Sequence, residues 1–175
     1  MKPVRLLCLV CLLMLGKLVF GQVGKTDLPK LLAAKKFVFQ ATTAIPFADA
    51  GLSETLRAMG NPGGGTVQLN SSVYNLAINP DSIVAFLPYY GRSYSANLNP
   101  GDSGIKFTSK KFAYDITQKK KGGWIIRIRP QDVKSGQRFT LTVSESGYAT
   151  LNAYHDQRQT IFFDGYISKP ENIRE

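Results

Sequence analysis

Phe112-Ala113-Tyr114-Asp115-Ile116-Thr117-Gln118 runs into Lys119-Lys120-Lys121-Gly122-Gly123 and returns as Trp124-Ile125-Ile126-Arg127-Ile128-Arg129 before Pro130. Apolar and polar residues alternate on both sides of a glycine-ended turn. That period of two belongs to strands, and a connection this short joins only antiparallel ones. The stretch predicts a β-hairpin with Lys119–Lys121 at its tip. On the return strand Arg127 and Arg129 share one face, and Trp124, Ile126 and Ile128 share the other.

The pattern repeats outward. Residues 138–144 and Tyr148–His155 read as a second hairpin about Glu145-Ser146-Gly147, and residues 160–168 as a last strand with a bulge or bend at Gly165. Upstream, residues 37–42, 66–69, 73–78, 82–87 and Ile105–Ser109 also read as strands. Asn79-Pro80-Asp81-Ser82 is a turn: proline presets φ, and the flanking side chains bond nearby backbone. Residues 44–65 read as a loop insertion with one helical turn at 53–57. Helices of crossover length are missing between the strands, which argues against a parallel βαβ sheet. The expected fold is mainly β: antiparallel sheet of about eight to nine strands, as a sandwich or half-open barrel. One short helix should precede it. Leu28, Leu31 and Leu32 recur at helical spacing behind Asp27 as N-cap and Pro29 in the first turn, with Lys30, Lys35 and Lys36 on the other side.

The first 21 residues have a different logic. Lys2 and Arg5 precede ten uncharged apolar residues, Leu6 to Leu15, and Val19 and Gly21 stand at the −3 and −1 positions before Gln22. This is the order of a secretory signal peptide, and the apolar run is short for a membrane span. An uncleaved anchor is the alternative. The expected organisation is thus a signal peptide at 1–21, a lead-in segment with the helix at 22–36, and one antiparallel β domain at 37–175. The protein is expected to be exported, periplasmic or secreted, with no transmembrane span once the signal is removed. Cys8 and Cys11 both lie inside the signal, so the mature chain has no thiol for a disulfide, nucleophile or metal site.

The chain carries 22 Lys and Arg against 12 Asp and Glu, a formal charge of +10. Losing Lys2, Arg5 and Lys17 with the signal lowers that to +7. Residues 106–138 hold ten basic residues against Asp115 and Asp132, so they account for the surplus. A basic sheet face built from Lys119, Lys120, Lys121, Arg127 and Arg129 would suit anionic lipid or polysaccharide. The alternative is a solvated face whose lysines discourage edge pairing. Export and the lack of any nucleic-acid-binding motif argue against nucleic acid.

Ser82-Ile83-Val84-Ala85-Phe86-Leu87-Pro88-Tyr89-Tyr90-Gly91-Arg92-Ser93-Tyr94-Ser95 is a second distinctive block, an apolar strand running into Leu-Pro-Tyr-Tyr-Gly-Arg. Downstream come Gly104-Ile105-Lys106-Phe107, the lysine-rich hairpin, Phe139-Thr140-Leu141-Thr142-Val143 and a strand from Gly147 to Leu151. This order resembles that of domain-of-unknown-function family 4251, small exported bacterial proteins, over roughly residues 30–168. The stretch from Asp49 to Arg57 is longer than that family's pattern. The resemblance implies export and a mostly β domain, and it implies no catalytic or binding residue.

Tyr89, Tyr90, Arg92 and Tyr94 are the candidate ligand-binding residues. Tyrosine gives apolar area with a hydroxyl, and arginine a planar bidentate donor, which together suit a sugar, peptide or carboxylate. The same residues also suit a structural corner over the open end of a sheet. Gly63-Gly64-Gly65 lacks the Lys-Ser/Thr that follows a phosphate loop. His155 is the sole histidine and is followed by Asp156, a neighbour badly placed to orient it, and the acidic residues are scattered. No catalytic residue, metal ligand or cofactor is therefore assigned. The expected function is a non-catalytic module that binds a small ligand or envelope component, or has a structural role there. The alternatives are an envelope-associated protein using the basic face at 106–138 and, third, a hydrolase working through carboxylates such as Asp102 with Asp81 or Asp115.

Overall fold

Every second side chain along the strands turns to one face of a single curved sheet, and that face wraps inward on itself. The computed structural model describes residues 27–47, 50–58, 60, 65–69, 73–94, 104–133 and 136–170. The signal expected at 1–21, Gly63, Gly64, Asp102 and Lys134 lie outside those residues.

The strands are β1 (Phe37–Pro46), β2 (Val67–Gln68), β3 (Asn75–Ile78), β4 (Ile83–Pro88), β5 (Gly104–Ser109), β6 (Phe112–Gln118), β7 (Trp124–Pro130), β8 (Arg138–Val143), β9 (Tyr148–His155) and β10 (Arg158–Ser168). They pair in the order β5-β4-β3-β1-β10-β9-β8-β7-β6, with β2 beside β1, and each pairing is antiparallel. Strands β5 and β6 end the order on opposite sides, yet only Lys110 and Lys111 separate them in the chain. The sheet must therefore curl until its two edges meet, and it forms a nearly closed barrel. Across the interior, Phe107 of β5 stacks on Phe139 of β8 with ring centroids 5.9 Å apart. Of the two shapes expected, the barrel is the one observed.

The interior is packed with side chains. Phe37, Phe39, Leu76, Leu87, Ile126, Ile128, Phe139 and Phe163 are among those fully buried in one cluster. Each contributes about 1.5–3 kcal/mol relative to exposure. Ile126 and Ile128 point in and Arg127 and Arg129 point out, as the alternation predicts.

The β1 strand departs from strict alternation. Phe37, Phe39 and Ala41 are buried, and then Ala44 and Pro46. Thr42 is an extra residue: Ala41 pairs with Gly165, but Thr43 pairs with Asp164. The bulge expected at Gly165 thus lies on the opposite strand. Its Thr42 carbonyl accepts from the Leu69 amide, 2.8 Å, which brings β2 alongside.

Helix α1 (Leu28–Ala33) docks by Leu28 and Leu32, as its leucine spacing predicts. Asp27 occupies the N-cap position but makes no side-chain cap. Its carboxylate instead accepts from Lys169 at 2.9 Å, and that hydrogen bond holds it below the usual carboxylate range. The helix ends with Lys36 and Lys35 amides on the Leu31 and Leu32 carbonyls, and with Lys35 at a φ of 52°. That left-handed cap usually takes glycine. Here the Lys35 ammonium turns back over the Phe112 and Tyr114 rings, 5.7 and 5.3 Å from their centroids, instead of facing away with Lys30. Tyr114 donates to the Leu32 carbonyl at 2.8 Å, which fixes the helix against edge strand β6.

Helix α2 (Ala50–Ala58) is longer than the single turn expected there. Thr55 back-bonds to the Gly51 carbonyl, and Gly60, at a φ of 83°, follows its end. No helix among the described residues is long and apolar enough to cross a membrane.

Candidate functional site

The Tyr89–Tyr94 block follows β4 and lies along the start of β10. The Tyr89 hydroxyl sits 2.9 Å from the Arg92 carbonyl and 3.0 Å from the Gln159 carbonyl, sharing its proton between them. Arg92 and Gln159 are joined again by two further hydrogen bonds: the Arg92 amide to Gln159 Oε1 and the Gln159 amide to the Arg92 carbonyl. Ser93 pairs with Arg158, and the Tyr94 amide donates to the Gln157 carbonyl. Arg158 lays its guanidinium 5.1 Å from the Tyr89 ring centroid and donates to the Gly104 carbonyl. Burial pushes the Tyr89 phenol up to about 12, against the opposing pull of Arg158. Tyr90 is half-buried against the core, and burial raises it too. Only Tyr94, 71% accessible, and the exposed Arg92 side chain face solvent in this block. Its tightest geometry is therefore a clasp between β4, β5 and β10.

The basic segment is spread over the molecule. Lys110 and Lys111 form the β5–β6 turn, and Lys119–Lys121 sit at the far end of β6, about 23 Å away along a seven-residue strand. Lys106 lies over the Phe86 ring at 5.0 Å. Arg127 pairs with Asp115 at 3.3 Å and Arg138 with Asp156 at 3.0 Å, all four side chains well exposed. Arg127 and Arg129 do share the outer wall with Arg138, where all three line one groove of about 340 Å³.

A larger groove, about 810 Å³, opens on the outer wall where the β6–β7 and β8–β9 hairpin tips meet. Gly122 and Gly123 both take left-handed φ, 86° and 81°. A β-carbon at Gly123 would run into the Val143 carbonyl oxygen, so glycine lets the β6–β7 tip lie against the end of β8. Lys119 and Lys121 stand on one rim and Glu145 and Ser146 on another. The floor comes from three strands in register: Thr142 pairs with Thr150, Thr150 with Asp164, and Tyr148 with Tyr166. Thr150 donates to Asp164 Oδ1 at 2.7 Å, and Ser144 donates to the Tyr148 carbonyl at 2.9 Å. Tyr148 is 62% accessible. The groove thus presents hydroxyls, two carboxylates, two ammonium groups and two phenol rings.

Of the candidate site residues named from the sequence, only Lys119 and Lys121 line this groove. Tyr148 and Tyr166 were not among them, because they lie eighteen positions apart and only strand register joins them. The signal was a tyrosine at an outward position of each of two adjacent strands, Tyr148 exposed and Tyr166 half-buried.

A third groove, about 360 Å³, continues the same wall and is lined by Arg138, Thr140, Asn152, Tyr154 and Thr160. The Arg138 guanidinium lies 4.1 Å from the Tyr154 ring centroid. Asn152 Oδ1 is shielded from solvent and has no hydrogen-bond partner among the described residues.

His155 accepts the Gln157 amide on Nδ1 at 3.0 Å inside the β9–β10 turn. Burial, with Arg158 next to it, lowers its pKa, and Asp156 opposes that. Among the described residues no group of three or more His, Cys, Asp or Glu is placed to hold a metal ion.

The family model of DUF4251, a domain of unknown function, matches residues 22–167. A DUF4251 family protein from Bacteroides eggerthii DSM 20697, seen in a crystal structure, is similar in fold. The TM-score is 0.56 at 14% identity, over 85% of this chain and 89% of that one. No curated protein matches the chain.

Proposed function

The chain belongs to the DUF4251 family, and from that premise we propose that it is an exported, non-catalytic module that holds a polyhydroxylated envelope component on its outer wall. Export rests on the charged, apolar, small-residue order of residues 1–21. Sequencing the N-terminus of the protein recovered outside the cytoplasm tests it: the expected first residue is Gln22, and an intact Met1 would contradict export through a cleaved signal.

The binding reading is carried by the groove at the two hairpin tips. A ligand of many hydroxyls must both donate and accept. Glu145 and Asp164 accept, Lys119 and Lys121 donate, Thr142 and the two tyrosines do either, and Thr150 and Ser146, whose protons go to Asp164 and Ser144, accept. Tyr148 and Tyr166 add ring surface against which a sugar face packs. The interior supports this placement, since aromatic and aliphatic side chains fill it.

The ion pairs of Arg127 and Arg138 weigh against a purely anionic ligand, because each arginine already has a carboxylate. In this reading the Tyr89–Tyr94 block is a structural clasp. Calorimetric titration with neutral linear oligosaccharides tests the assignment. Tyr166→Ala should abolish binding while leaving the thermal transition in place. Unchanged affinity in that variant would contradict it.

A further inference from the structure

Resting on the groove reading above, we infer that the ligand is an extended chain that continues from the tip groove into the Asn152 groove along strand β9. The two grooves are successive parts of one face. Thr150 and Asn152 are two apart on β9, Thr142 and Thr140 two apart on β8, and Asp164 and Phe162 two apart on β10. Side chains two apart on a strand stand on the same face. Thr142, Thr150 and Asp164 form one cross-strand row, and Thr140, Asn152 and Phe162 form the next. From Tyr148 to Tyr154 the track is about 20 Å long.

Its chemistry is continuous as well. Phenol rings stand at both ends, Tyr148 and Tyr166 at one and Tyr154 at the other, with threonine hydroxyls between. Asn152 is the feature that the fold alone does not explain. A shielded amide oxygen with no partner is costly, and among the described residues none hydrogen-bonds to it. Rotation of that amide about its last side-chain torsion presents a donor and an acceptor to a chain lying in the groove. A polyhydroxylated chain can use both, whereas an acyl chain can use neither. An extended peptide would be expected on an open sheet edge, where backbone groups are free, and β8, β9 and β10 each pair on both sides. The charges on the track come in both signs, Lys119, Lys121 and Arg138 against Glu145, Asp164 and Asp156, so a neutral chain fits better than a polyanion. The occupant is therefore a linear, neutral oligosaccharide.

The experiment is a titration of the mature protein with dimers, tetramers and hexamers of β-1,4-linked glucose, N-acetylglucosamine, mannose and xylose, and with heparin as the anionic probe. For the sugar that binds, affinity should rise by about tenfold or more from dimer to tetramer and then level off, as the track fills. Asn152→Ala should lower tetramer affinity about fivefold to tenfold, the scale of one or two lost hydrogen bonds, and leave dimer affinity unchanged. Because that residue is half-buried, Thr140→Val gives a second variant on the same row, with the same expected pattern. Equal affinity for dimer and tetramer, with Tyr166→Ala still abolishing both, would overturn the extended track and leave the tip groove standing. Failure of every neutral oligosaccharide, or binding to heparin alone, would overturn both.

Discussion

Gly165 of β10 lies so close beneath Gln40 of β1 that a β-carbon on residue 165 would run into the Gln40 carbonyl oxygen. The contact sits beside the Thr42 bulge, where two residues of β1 stand opposite one step of β10. Backbone, unlike the end of a side chain, cannot swing away. Gly165→Ala should therefore destabilise the protein by at least the about 1–3 kcal/mol typical of overpacking. Urea unfolding followed by circular dichroism checks this, and an unchanged midpoint would mean that the two strands separate freely.

The clasp at Tyr89 gives a second prediction. Tyr89→Phe removes a hydroxyl shared by the Arg92 and Gln159 carbonyls and keeps the ring under Arg158. The expected cost is about 1 kcal/mol, or a fall of about 2–4 °C in Tm. Oligosaccharide affinity should not change. A loss of binding without a loss of Tm would return the tyrosine block to the ligand.

Asp132 supplies a pH dependence. Its carboxylate accepts from the Ser109 hydroxyl and from the Lys110 and Lys111 amides, at the turn where the sheet's two edges meet. The Ser109 bond, then the backbone bonds, hold its pKa below the usual value of 3.8. The folded state thus favours the charged form. That stability is complete above the unfolded value and drains away as pH falls through the lowered folded one. Asp132→Asn should lower Tm at neutral pH and show a shallower loss of Tm below about pH 4 than the parent. Parallel acid limbs in the two proteins would contradict this.

Salt separates the groove from the basic-face alternative. Binding driven by pairing with a polyanion weakens steeply as ionic strength rises, since the Debye length falls from about 10 Å at 0.1 M to about 3 Å at 1 M. Hydrogen bonding to a neutral chain should change affinity less than about twofold across that range. Titrations at low and high sodium chloride measure it, and a tenfold loss would favour Lys119–Lys121 and Arg127–Arg129 as the binding groups.

Much of the barrel was legible in the sequence wherever a short turn forced antiparallel pairing. The Phe112–Gln118 and Tyr148–His155 strands match their expected bounds, and the return strand expected at Trp124–Arg129 runs one residue further, to Pro130, because Gly122, Gly123 and Gly147 mark the turns with left-handed φ. The choice of barrel over sandwich was not legible. It depends on β1 pairing with β10, residues more than a hundred apart, and strand alternation carries no information about which strands pair. The Thr42 bulge left a trace in the apolar spacing, Phe37, Phe39 and Ala41 and then Ala44, and Gly165 marked its place from the partner strand rather than from β1. The tip groove was half legible. The lysines stood out as a run, whereas Tyr148, Asp164 and Tyr166 became one surface only through register.

The most direct measurement is an amide and side-chain chemical-shift map of the protein from Gln22 onward, titrated with a neutral linear tetrasaccharide that binds. The account predicts that the largest shifts fall on Thr142, Tyr148, Thr150, Asn152, Asp164 and Tyr166, with little change at Tyr89–Tyr94 or at Arg127 and Arg129. Shifts centred on Tyr89, Arg92 and Tyr94, or along Arg127 and Arg129, would contradict it.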